Sequence, residues 1–155
     1  MRVAIVEDET GIRAELDAFV NRYAKEHSIK IDTVLFSDGD EIVEDYRQVY
    51  DVILFDIHMR RMDGLKAAEK IRELDEEVII IFITNMANFA IKGYSVDAFD
   101  FIVKLVSYFA LSQKLQKAFL RLAKRAASYI GINAESGLIR QNVAKIYYVE
   151  SYQSA

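Results

Sequence analysis

The 155 residues contain no cysteine, no proline and only two histidines, His27 and His58. Without cysteine there is neither a disulfide framework nor a thiolate metal site. Two histidines alone do not make a structural zinc site. Average usage would give about eight prolines, so positions where a proline is customary become informative below. Long apolar runs are missing too. The longest, residues 78–83, is far short of the ~20 residues a membrane-spanning helix needs. The first twenty residues carry Glu7, Asp8, Glu9, Glu15 and Asp17, a composition of neither a signal nor a transit peptide. What is present is globular: 52 % apolar and 28 % charged, which fits one ordinary domain with part of a second. The expectation is a soluble, cytoplasmic chain with no membrane partner.

The formal charge of −4 hides an asymmetry. Residues 1–106 hold 13 Lys/Arg against 22 Asp/Glu, whereas residues 107–155 hold 7 against 2. An acidic front and a basic back suggest two units with different partners. Along the front, short β-branched runs alternate with helical patterns. Strands are expected at 2–6, 29–36, 51–55, 78–83 and 98–103. Between the first two, Ile12, Leu16, Phe19, Val20 and Tyr23 recur at helical spacing, with Thr10 as N-cap. Asp38-Gly39-Asp40 turns the chain into a helix carrying Ile42, Val43 and Tyr46. Asp63-Gly64 opens another over 65–74, and 87–92 reads as a short fourth. Unbroken apolar strands alternating with helices predict a doubly wound α/β fold around a five-stranded parallel sheet.

Residues 107–128 read as one long helix. At 100° per residue Leu111, Leu115, Ala118, Phe119, Leu122 and Ala126 share one arc, and Lys114, Lys117, Arg121, Lys124 and Arg125 share another. The basic arc reads first as a solvated face and second as a phosphate-contacting one. After Ser128 the pattern changes to strands, at 129–133, 138–143 and 146–150, with a turn at Glu135-Ser136-Gly137. So short a stretch cannot build its own β core. The expected organisation is a domain over 1–120, a helical linker at 121–128, and at 129–155 a short β fragment that begins a truncated second domain. Strands added to the first domain are the alternative.

In an open parallel sheet, ligands sit at the carboxyl ends of the strands, near the point where strand order reverses. Just past the strands stand Glu7, Asp8 and Glu9, then Asp56, Thr84 and Lys104. Several carboxylates on one edge repel each other unless a cation sits among them, and Mg²⁺ takes such oxygen ligands together with phosphate. Lys104 and Thr84 suit phosphoryl oxygens, and Asp56 suits the nucleophile that forms an aspartyl phosphate.

Val6-Glu7-Asp8-Glu9, Asp56 after DVILF, Met62-Asp63-Gly64, Ile83-Thr84 and Phe101-Ile102-Val103-Lys104 together resemble the receiver domain of bacterial two-component response regulators. The resemblance covers about residues 1–120 and implies a flavodoxin-like strand order, 2-1-3-4-5. It further implies that Asp56 accepts phosphate from a sensor histidine kinase and that the chain is not an enzyme. Mg²⁺ is then held directly by Asp8 and Asp56, by Glu7 mostly through water, and by the backbone carbonyl of His58. Thr84 and Lys104 hold the phosphoryl oxygens, and Phe101 is the aromatic switch, although plain core remains open for it. Thr84-Asn85 with AIKGYSVDAFDFIVK and the later IYYVES resembles regulators with a LytTR DNA-binding domain. That implies a homodimer on phosphorylation, with Tyr94 and Phe109 on the pairing face. Promoter DNA would be contacted only through the full-length output domain.

Two positions depart from the receiver pattern. Arg60 stands where a proline is usual, and Leu105 follows the lysine where the family has a cis proline. A cis bond before a non-proline residue costs ~2.5–4 kcal/mol, so the expectation is a trans Lys104–Leu105 bond and a displaced lysine loop. Two other functions stay open: a phosphate-independent interaction module with a degenerate site, and a Mg²⁺-dependent aspartyl-phosphate phosphatase.

Overall fold

The computed structural model describes residues 1–85 and 95–136, with side chains as far as residue 128. Five parallel strands lie in the order β2-β1-β3-β4-β5, namely β1 (Arg2–Val6), β2 (Asp32–Phe36), β3 (Val52–Asp56), β4 (Ile79–Thr84) and β5 (Asp100–Val103). The described helices are α1 (Thr10–Glu26), α2 (Gly39–Glu44), α3 (Gly64–Leu74) and α4 (Tyr108–Ser136). This is the doubly wound parallel sheet the alternation predicts, in the flavodoxin-like strand order that the receiver resemblance implies.

Strict alternation divides each central strand between two cores. Val3, Ile5, Val52, Leu54, Ile79, Ile81 and Ile83 face Leu16, Val20 and Tyr23 of α1 and Leu111, Leu115 and Phe119 of α4. Ala4, Val6, Ile53, Phe55, Ile80 and Phe82 face Ile42 of α2 and Ala67, Ala68 and Ile71 of α3. Each fully buried large aliphatic side chain is worth roughly 1.5–3 kcal/mol. The two layers together lock the register: a one-residue slip would exchange every side chain between cores.

Several boundaries differ from those read in the sequence, each for a local reason. Glu9, not Thr10, is the N-cap of α1, and Thr10 is its first helical residue. The second strand begins at Asp32, not at 29, because α1 ends in a left-handed turn. Ser28 takes φ 53°, the Ile29 amide reaches back to the Ala24 carbonyl at 3.0 Å, and Ile29 packs into the core before any strand starts.

The expected strand at 129–133 is instead the continuation of α4, which runs to Ser136. Once a helix is nucleated, each further residue adds one hydrogen bond for one residue fixed. Modest formers such as Tyr129, Ile130 and Ile132 are then carried along at a few tenths of a kcal/mol each. The expected helix at 87–92, the strands at 138–143 and 146–150, and Tyr94 lie outside the described residues.

The basic arc of α4 is not simply a solvated face. Lys114 Nζ lies 2.9 Å from Asp100 Oδ2 and Lys117 Nζ 3.8 Å from the same oxygen. The Arg121 guanidinium sits over the Phe99 ring, and Arg125 pairs with Glu77. The first three contacts tie α4 to β5 and the residue that enters it, and the last ties it to the turn before β4. No described helix is long and apolar enough to cross a membrane.

Candidate functional site

Strand order reverses between β1 and β3, so the crevice for a ligand opens at their carboxyl ends. The register pairs Val6 with Phe55, and one step further sets Glu7 beside Asp56. Asp56 is the last residue of β3 and Thr84 the last of β4; both are almost completely buried. Lys104 follows β5, and its amide donates to the Thr84 carbonyl at 2.8 Å.

Its side chain, only 9 % exposed, places Nζ 3.1 Å from Glu7 Oε2 and 3.3 Å from Asp56 Oδ1. The Lys104–Leu105 peptide bond is cis, and the expectation of a trans bond and a displaced lysine is therefore corrected. The segment is held at both ends of the lysine, by its amide on β4 and by its ammonium between two buried carboxylates.

Glu7, Asp8 and Asp56 each offer a carboxylate oxygen, and these atoms lie within 4.8 Å of one another. Burial, the largest cause, pushes the Glu7 carboxyl up to about 7. The Glu9 amide opposes this with a 3.1 Å bond to Oε1, the Asp56 charge adds to the rise, and Lys104 works against it. Asp56 is likewise raised by burial, with Lys104 pulling the other way. Burial also disfavours the Lys104 ammonium. Its bond to Glu7 and the charges of Asp56 and Glu7 outweigh that and hold it above its ordinary value.

The donor set fits a hard dication. Three carboxylates and one ammonium leave two negative charges when all are ionised, which is what Mg²⁺ neutralises. Glu7 Oε2 is buried 3.1 Å from the ammonium, and a carboxylate oxygen has lone pairs for a cation as well as for that contact.

The loop between β3 and α3 is held by groups that no motif in the sequence marks. Asp38, buried at the end of β2, accepts from the Arg61 amide at 3.0 Å and the Met62 amide at 2.9 Å. Its desolvation is outweighed by those amides, and its carboxyl lies below the usual aspartate range. Arg61 returns to Asp40 and Glu41 at the start of α2.

Gly64 admits the closest approach. A Cβ there would fall 2.1 Å from the Asp56 carbonyl oxygen, while its amide donates to Ile57 at 2.8 Å. Asp63 caps α3 by accepting from Lys66 N at 2.8 Å. His58, two residues past Asp56, is exposed on this loop.

Phe101 is half-buried and stacks on Phe82, with ring centroids 5.6 Å apart. It thus belongs to the edge of the core shared by α2 and α3. Phe109 is 69 % exposed. The structure therefore brings Glu7, Asp8, Asp56 and Lys104 into one cluster with Thr84 on the adjoining strand end. Phe101 sits one strand across, in β5.

Comparison with known proteins finds a family model described as "Response regulator receiver domain" matching residues 3–116. The chain is 28 % identical over 167 residues to the transcriptional regulatory protein YpdB of Escherichia coli K12, an alignment covering 99 % of this chain and 66 % of YpdB. It is 28 % identical over 153 residues to the sensory transduction protein LytR of Staphylococcus saprophyticus, covering 94 % and 56 % respectively. The chain thus spans 56–66 % of the length of these relatives. Among solved structures, the response regulatory domain of MrkE from Klebsiella pneumoniae superposes with a TM-score of 0.68 at 29 % identity. That match covers 78 % of this chain and 97 % of the MrkE domain.

Proposed function

The chain belongs to the response regulator receiver family, and on that premise we propose that it is a phosphoacceptor switch charged at Asp56 by a sensor histidine kinase in the presence of Mg²⁺. The observation that carries this is the cluster itself: three carboxylates within 4.8 Å with the Lys104 ammonium 3.3 Å from Asp56 Oδ1. A structural ion pair needs one acid for one base, whereas this arrangement has an excess of acid suited to a dication and a phosphoryl group.

Glu7, Asp8, Asp56 and the His58 carbonyl are the groups that would hold Mg²⁺, which when bound neutralises charge on the phosphoryl oxygens. A carboxylate oxygen of Asp56 attacks phosphorus on the donor histidine. The new P–O bond forms as the donor's P–N bond breaks, and the imidazole nitrogen leaves with that electron pair. Lys104 supplies a positive charge to the incoming phosphoryl group, and Thr84 a hydroxyl donor. In accepting phosphoryl the chain is consumed once per event, so it is a signalling module rather than a turnover enzyme.

The output follows from the strand ends. Drawing Thr84 toward the phosphoryl group vacates space beside β4, and Phe101 in β5 turns into it, altering the face shared by β5 and α4. That face then mediates homodimerisation. The sequence beyond α4 leads into the LytTR-type output domain of a cytoplasmic transcription regulator, and promoter DNA is contacted by that domain in the full-length protein. The relationship to the transcriptional regulatory protein YpdB supports the transcriptional role, and that to the sensory transduction protein LytR supports the signalling role.

The test is intact mass after incubation with Mg²⁺ and a small acyl phosphate, beside Asp56→Asn. One phosphoryl adduct that needs Mg²⁺ and is missing from the variant is the expected result. A folded wild-type chain that acquires none would point instead to a phosphate-independent module.

A further inference from the structure

Three hydrogen bonds close a ring around Asp8. The Glu9 amide donates to Glu7 Oε1 at 3.1 Å, the Arg13 amide donates to the Glu9 carbonyl at 2.9 Å, and Arg13 Nη1 donates to the Glu7 carbonyl at 2.7 Å. The first two links are local to the turn. The third comes from a half-buried guanidinium in the first turn of α1, reaching back across the turn to the peptide that joins Glu7 to Asp8.

On the other side Glu7 is fixed to the sheet, since its amide donates to the Phe36 carbonyl at 3.1 Å. The plane of the Glu7–Asp8 peptide is therefore set by Phe36 upstream and by Arg13 at its carbonyl. Nothing else in the ring restrains that carbonyl.

We propose that Arg13 is a positioning residue for the acidic turn: by holding the Glu7 carbonyl it presents Asp8 to the divalent cation. This rests on the reading of the cluster as a Mg²⁺-dependent phosphoacceptor site. Two physical arguments favour it over a purely structural role. First, Arg13 is the one link of the ring that reaches the Glu7 carbonyl. Rotation of the Glu7–Asp8 peptide would swing Asp8 away while leaving the neighbouring amide bonds of α1 intact. Second, a guanidinium is always charged, so the bond to the carbonyl is charge-assisted.

The experiment is a calorimetric titration with MgCl₂ of the wild type, Arg13→Met and Arg13→Lys, with urea midpoints of each. Methionine keeps the apolar stem and the helix propensity but removes donor and charge. Loss of a group that orients a metal ligand typically weakens metal affinity by about 10–100-fold. Arg13→Met is expected to bind Mg²⁺ about tenfold more weakly with a nearly unchanged urea midpoint, and Arg13→Lys to recover most of the affinity. In metal-free protein the Asp8 amide resonance is expected to move in Arg13→Met and to return toward its wild-type position in Arg13→Lys.

Affinity within twofold of wild type in Arg13→Met overturns the inference, as does equal weakening in the methionine and lysine variants. Should Arg13→Met unfold, Arg13→Gln takes its place and is judged by the same two criteria. Failure of the phosphoacceptor reading looks different: the wild type itself then takes up no Mg²⁺ and forms no adduct at Asp56.

Discussion

Lys104 Nζ lies 3.1 Å from Glu7 Oε2, inside a cluster whose three acids are also the candidate Mg²⁺ ligands. The ammonium therefore does two jobs that compete. It compensates buried carboxylates, and it repels any dication that approaches them. Lys104→Met is expected to cost about 3–5 kcal/mol in metal-free protein, because removing one partner leaves buried charge unpaired. The same variant should bind Mg²⁺ more tightly, and so gain more stability from it by mass action. Thermal unfolding of both proteins in EDTA and in MgCl₂ checks this. A midpoint rise in Lys104→Met no larger than in the wild type would count against the shared site. Phosphorylation by an acyl phosphate should fall at least about tenfold, since the charge aimed at the phosphoryl group is gone.

Gly64 controls the backbone of the phosphoacceptor from below. A Cβ at that position would stand 2.1 Å from the Asp56 carbonyl oxygen, and the obstructing atom is main chain rather than a flexible side-chain end. Gly64→Ala is expected to destabilise by about 2–3 kcal/mol through overpacking. It should also slow phosphorylation by displacing Asp56. Gly11 serves as the control, for an added Cβ there meets nothing within 4 Å. Urea denaturation of Gly11→Ala and Gly64→Ala should separate the two.

Strand runs such as Val52–Phe55 and Ile79–Ile83 were legible because burial on both faces leaves no room for polar residues. Glu7, Asp8, Asp56 and Lys104 were legible because each follows such a run directly. Arg13 and Asp38 were not, since their partners are main-chain atoms, and a carbonyl or an amide leaves no mark on residue type. The continuation of α4 through 129–133 was missed because a β-branched and aromatic stretch was read by itself, without the helix already running into it. The cis Lys104–Leu105 bond is illegible because the proline that would mark it is replaced by leucine.

Asp38 supplies a pH signature away from the acid cluster. Its folded carboxyl lies below the ordinary aspartate value because the Arg61, Met62 and Asp40 amides outweigh its desolvation. A depressed folded pKa gives stability that is fully present above the unfolded value of about 3.9 and is lost as pH falls through the folded one. Asp38→Asn removes the charge and one good acceptor from two loop amides, at a cost of about 1–2 kcal/mol. The difference in urea stability between wild type and Asp38→Asn should be constant from pH 7 down to about pH 5 and shrink below about pH 4. A difference that stays level to pH 3.5 would remove the charged form of Asp38 from the account.

Arg72 plays a comparable part at the opposite edge of the sheet. From the last turn of α3 its Nε donates to the Val96 carbonyl at 2.7 Å, and Nη2 to Asp97 at 3.0 Å. Nη1 reaches the carbonyls of Asp75, Glu76 and Val78 at 3.3, 3.1 and 2.7 Å. One guanidinium thus ties the turn before β4 to the segment that enters β5, where Asp97 takes φ 51°. Burial lowers its pKa, while Asp97 and Asp75 oppose the shift; a guanidinium remains charged regardless. Arg72→Met is expected to cost about 3 kcal/mol, the range for removing a charged donor from several buried acceptors. Arg72→Lys should recover little of it, because an ammonium is a compact point charge and cannot reach two loops with a rigid fork. If lysine restored the urea midpoint in full, the positive charge alone would be holding the two loops together. The fork geometry that distinguishes this clamp from an ordinary ion pair would then play no part.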